Sequence, residues 1–132
     1  MPVAGTMTEA ISRINHDYYQ DELDCIASSG AAFNQYTNTL YGDLRMVTVI
    51  PDLTTYPTGA ATITFLDADG IDVMGGSVIA TLGQYFPKIT GSVYMESRRI
   101  YSTLHVVLTS NLVNSAIFKI KLYIEKPKNL FQ

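Results

Sequence analysis

Three aspartates, Asp67, Asp69 and Asp72, gather in the run ATITFLDADGIDVMGG. Carboxylates so close together suggest a calcium site, which takes six to eight oxygen ligands. An EF-hand loop spaces its acids at positions 1, 3, 5 and 12, with a glycine at 6. Here Gly70 comes too early, and no glutamate stands where the bidentate ligand belongs. The spacing suits a hairpin turn better, with Gly70 supplying the left-handed backbone that tight turns require. Asp67, Asp69 and Asp72 remain the one metal candidate.

Other chemistries find no constellation. The single cysteine, Cys25, allows no internal disulfide, and neither His16 nor His105 is tied to it by spacing. It reads as a buried structural thiol. Acids abound before residue 73, but no pair stands out as a glycosidase couple. The chain has no GxSxG, HExxH, P-loop or GxGxxG. No catalytic residue and no cofactor is therefore expected, and the protein reads as a non-enzyme.

Aromatic residues give the other candidate surface. There are nine tyrosines and no tryptophan. Tyr94, Tyr101 and Tyr123 fall on the polar faces of expected strands, as does His105, while Tyr18 and Tyr19 lie in the N-terminal segment. Tyrosine suits contact surfaces because it is large, stiff and amphipathic. These six residues are the interface candidates. Stacking on sugars is an alternative, though carbohydrate sites favour the tryptophan this chain lacks.

The elements that must carry these residues read as strands. Leu23, Cys25 and Ala27 alternate, which predicts a strand over 20–28. Leu44–Ile50 is β-branched and apolar on both faces, as in a central strand. Ala61, Ile63 and Phe65 precede the acidic turn, and Ile71 and Val73 follow it on the core side. Residues 31–41 read as a loop or a poorly patterned strand, 77–81 as a short strand, and 89–95 as another. Arg99–Thr109 and Ala116–Glu125 alternate over about five repeats each and predict a long antiparallel hairpin joined by 110–115. The N-terminus suggests a short helix, with Thr8 as N-cap and Ile11 and Ile14 on one face, or an arm. The sum is an all-β, antiparallel β-sandwich of about seven strands, immunoglobulin-like or jelly-roll-like. Its divisions are an N-terminal arm or short helix over 1–16, the sandwich over 17–127, and a tail over 128–132.

A length of 132 residues suits one domain that needs no staple. Charged residues are only 16% of the chain, against a usual figure of about 25%. Part of the surface is thus expected to be covered by another subunit, or to use Thr, Ser, Asn and Tyr instead of charge. Residues 1–72 carry ten acids and two bases; residues 73–132 carry two acids and seven bases. These halves either interleave and neutralise, or form opposite patches that meet on neighbouring copies. The net charge of −3 argues against nucleic acid as a partner. No run approaches the roughly 18 apolar residues of a membrane span. The start, MPVAGTMTEAIS, lacks the basic and apolar regions of a secretory signal.

From residue 40 to 126 the order of features resembles small structural proteins of tailed bacteriophages. The likeness rests on Pro57, Thr58, Ile63, Asp67, Asp69, Gly70, Asp72, Gly75, Gly76, Lys119, Ile120, Tyr123 and Glu125. It implies a virion component, assembled in the bacterial host cytoplasm and present in symmetric copies. The implied role is a capsid decoration or cement (minor head) protein that binds the major capsid or other virion proteins. The implied alternatives are a neck, connector or tail component. A carbohydrate-binding β-sandwich is the reading from a different class.

Overall fold

The computed structural model describes residues 3–76, 78–88 and 97–127. Within them are ten strands: β1 (Thr6–Arg13), β2 (Tyr18–Ile26), β3 (Phe33–Tyr36), β4 (Gly42–Pro51), β5 (Thr62–Leu66), β6 (Val78–Ile79), β7 (Gly83–Tyr85), β8 (Arg98–Ile100), β9 (His105–Thr109) and β10 (Ile117–Glu125). They form two antiparallel sheets. The larger runs β1-β2-β10-β4-β7, with β8 also on β4; the smaller runs β3-β9-β5-β6. From β2 to β5 the chain changes sheet at every strand, and the late strands β9 and β10 insert between early ones. This double Greek-key order is a jelly roll. It settles the choice left open between immunoglobulin-like and jelly-roll-like sandwiches.

The core lies between the sheets, because each strand buries alternate residues. Leu23 and Cys25 of β2, Phe118, Ile120, Leu122 and Ile124 of β10, and Leu44, Val47 and Val49 of β4 face inward from the larger sheet. They meet Phe33, Ile63, Phe65, Val106 and Leu108 of the smaller one. Phe33 and Phe118 bridge the layers edge to face, with ring centroids 5.1 Å apart. A bulge shifts the β4–β10 register between Tyr123 and Ile124, so Arg45 and Met46 both turn outward before Val47 turns in. Leu44–Ile50 is indeed a central strand.

Several sequence expectations need correction. The N-terminal segment forms neither a helix nor a free arm. Residues 6–13 are a strand paired with β2 through eight consecutive partners, because Met7, Glu9 and Ile11 alternate against Thr8 and Ala10. The long strand expected over Arg99–Thr109 is two strands in different sheets. β8 pairs with Gly42–Leu44, and Tyr101–Leu104 then crosses to the smaller sheet, held by Thr37 N–H donating to the Leu104 carbonyl at 2.9 Å. The burial alternation survives this crossing because both sheets face the same core. For the same reason the expected 99–109/116–125 hairpin does not form: β9 and β10 alternate alike but lie in opposite layers. Ile71 is 50% exposed instead of buried, since after the turn only Asp72 makes a bridge, to Leu66, before Val73 enters the core. The strand expected over 89–95 lies outside the described residues.

Candidate interaction surface

The outward columns of the larger sheet define its exposed face. On β2 they are Tyr18, Gln20, Glu22, Asp24 and Ile26; on β10 they are Ile117, Lys119, Lys121, Tyr123 and Glu125. An acidic column thus lies beside a basic one. Lys119 Nζ sits 3.8 Å from Glu22 and 3.9 Å from Asp24. Arg45 binds Glu125, and Arg99 binds Asp43. The two oppositely charged halves of the sequence interleave and neutralise within one molecule.

Beyond the charged pairs, the lower end of this face turns apolar. Ile26 and Ile117 stand directly opposite each other and are 43% and 38% exposed; Leu53, just past β4, is 96% exposed. With Thr6, Thr8, Ile50 and Pro51 they line a hollow of about 350 Å³, rimmed by Asp24, Asp52 and Lys119. Asp52 shapes its wall by accepting the N–H groups of Thr54 and Thr55 at 3.0 and 2.9 Å. These bonds hold its carboxyl below the usual carboxylate range. An apolar floor inside a polar rim is the anatomy of a protein contact. The sequence does carry a signal for it: Ile26 and Ile117 fall in the polar phase of their strands.

The tyrosines named as interface candidates do not share one surface. Tyr18 and Tyr123 are half-buried on the outer face of the larger sheet. Tyr19 points inward, where its hydroxyl donates to the Tyr41 carbonyl at 3.1 Å and accepts from the Tyr41 N–H at 3.3 Å. Burial raises its pKa, and its role is to tie the chain before β4 to β2. Tyr101 is 65% exposed and leans on Tyr41, with centroids 5.7 Å apart. His105 lies on the opposite layer, stacked 4.2 Å from Tyr36 and paired through Nε2 with Asn34 Oδ1. Partial burial lowers its pKa. Tyr94 lies outside the described residues.

The acidic turn is built by its own backbone. Asp67 Oδ1 accepts the N–H groups of Asp69 and Ile71 at 2.9 and 3.0 Å, and Asp72 Oδ1 accepts that of Met74 at 3.0 Å. Gly70 takes φ 79°, as the turn demands. Asp67 and Asp72 thus spend an oxygen each on shaping the turn, and among the described residues no three acids, histidines or cysteines cluster as a metal site. Cys25 is buried, and burial pushes its thiol far above the nucleophilic range.

Two groups emerge that the sequence reading passed over. Asp21 is fully buried on the inward side of β2, and neither of its oxygens meets a donor among the described residues. Its polar neighbour is Glu9 of β1, whose Oε1 accepts the Asn38 N–H at 2.8 Å while Oε2 is buried without a partner. Burial first, and Glu9 second, push the Asp21 carboxyl up to about 9, so Asp21 keeps its proton at neutral pH. The sequence signal was the phase: Tyr19 and Asp21 continue the inward series of Leu23, Cys25 and Ala27. Asn111 is the second. Its Oδ1 accepts from the Thr58 and Val113 N–H groups, and its Nδ2 donates to the Ala31 and Val113 carbonyls, joining three loops.

No protein-family model matches the chain, and no curated protein matches it. Among solved structures, a cupin domain from Bordetella pertussis Tohama I is similar at 15% identity and a TM-score of 0.42, covering 96% of this chain and 99% of that one. At that score the likeness says nothing about function. The resemblance to tailed-bacteriophage virion proteins is corrected by these findings: the comparisons return a cupin domain and no phage protein. A β-strand ending in a DxDG turn is a common way to close a hairpin, and here its residues are occupied by turn geometry alone.

Proposed function

We propose that the protein is a non-enzymatic interaction module that works by protein–protein binding and assembles in several copies. The observation that carries this reading is the apolar hollow at Ile26, Leu53 and Ile117 inside its rim of Asp24, Asp52 and Lys119. A side chain as exposed as Leu53 contributes nothing to the fold where it stands, yet it walls a cavity large enough for a partner's side chain. The capsid-decoration role rested on the resemblance; the apolar hollow supports the reading of a protein contact without it. The test is light scattering over a concentration series. The native chain should show mass above 14.6 kDa that grows with concentration. Leu53→Lys should weaken association about tenfold, as for a contact at the centre of an interface, with an unchanged melting temperature. A native chain that stays monomeric at every concentration refutes self-assembly.

One observation favours carbohydrate binding as a second reading. Tyr41 and Tyr101 present neighbouring rings to solvent, 53% and 65% exposed. A glycan array that gives a hit abolished by Tyr101→Ala would establish it; no hit removes it.

A further inference from the structure

Sheets end in strands whose outer backbone groups lack partners, and proteins usually guard such edges with lysine, proline, bulges or shortness. Among the described residues, three of the sheet ends are short: β7 has three residues, β6 two and β3 four. β1 is the exception. It has eight residues in unbroken register with β2. Its outward side chains are Thr6, Thr8, Ala10 and Ser12, small and uncharged, with no proline or lysine among residues 6–13. Its second half overhangs the sandwich, so that Ile11, which faces the core side, is still 53% exposed; Ile14, just beyond, is 49% exposed.

We infer that the β1 edge is a pairing surface for a second copy of this chain, joined antiparallel about a two-fold axis at Ala10. This rests on the self-assembly reading above and names its surface. The pattern of β1 selects the register. Antiparallel partners must share a face, so residues pair odd with odd or even with even. Centring on Glu9 would set two carboxylates opposite each other, which is unfavourable. Centring on Ala10 sets Ala10 against Ala10, Glu9 against Ile11, Thr8 against Ser12 and Met7 against Arg13, with no like charges opposed. The same register brings Ile14 of one copy to Thr6 of the other. Thr6 and Thr8 line the hollow that also holds Ile26, Leu53 and Ile117. The exposed Ile14 and the unfilled hollow thus meet across the axis, twice per dimer.

A two-fold axis at one residue allows a charge-swap test. Ala10→Lys and Ala10→Glu lie at an exposed site and leave the fold intact, as a melting curve on each will verify. Light scattering should give twice the 14.6 kDa chain mass for the native protein and a single chain mass for either variant alone. Mixing the two variants in equal amounts should restore the doubled mass, since Lys then faces Glu. If the variants associate as well as the native chain, or if the mixture stays monomeric, the Ala10 axis is wrong while self-assembly by another surface stands. A monomeric native chain overturns both.

Discussion

At the scale of single residues, Asp21 is the group out of place. A carboxyl with no donor belongs in water, and this one sits against Leu122 and Ile11 in the inner face of the larger sheet. Its titration sets the sign of a pH effect. Unfolded, it ionises near 3.8; folded, it keeps its proton up to about 9. The folded state therefore holds an extra proton across that window, and stability falls as pH rises through it, by at most about 1.4 kcal/mol per unit. Between pH 7 and 9, above the range in which His105 titrates, the Tm should fall by about 4 °C per unit. Asp21→Asn should flatten that slope, and a native Tm that is level from pH 7 to 9 would show that the carboxyl has found another partner. Asp21 was legible in the sequence as a matter of phase, though not of consequence. Alternation told which side it faced, but only the meeting with Glu9, contributed by a strand read as helix or arm, showed what it meets there.

Among the elements, β4 shows how much geometry one residue can hold. Gly42 opens the strand at φ 147°, where a Cβ would stand 2.4 Å from the Glu125 carbonyl oxygen and 2.7 Å from the Ile124 side chain. Gly42→Ala should cost about 2–3 kcal/mol in chemical denaturation. Gly59→Ala, with nothing within 4 Å and no positive φ, should be close to neutral. Equal effects would mean that the β4–β10 bulge does not constrain the backbone. The loop elements depend on Asn111 in the same way. Asn111→Ala leaves the Thr58 and Val113 amides without their acceptor, and a loss of about 2 kcal/mol should appear as a lower denaturation midpoint at unchanged m-value. The strands 20–28, 44–50 and 116–125 were readable because each buries one face or two throughout its length. The hairpin at 99–125 was misread because alternation reports burial and is silent about which layer does the burying. The β1 edge was misread because Ile11 and Ile14, three apart, fit a helical face as well as a strand and its turn.

For the whole molecule, jelly-roll order was beyond the reach of periodicity. It depends on pairings such as Tyr18 with Glu125 and Phe33 with Leu108, which join residues far apart in the chain. The charge split was legible at once, and the topology explains its outcome: the basic C-terminal strand is laid directly between acidic β2 and Asp43-bearing β4. That placement has a consequence for synthesis. β2 and β4 leave the ribosome early, but the strand that separates and pairs them is the last of those described to emerge. Until residues 117–125 are free, the nascent chain presents two raw strand flanks and lacks Phe118, Ile120, Leu122 and Ile124 from the middle of its apolar layer. Cooperative closure must then await the emergence of residues 117–125, and the contacts it forms are long-range ones, which are slow to find. A ribosome stalled within β10 should release a fragment that lacks the strand joining β2 to β4 and is more prone to aggregate than to fold.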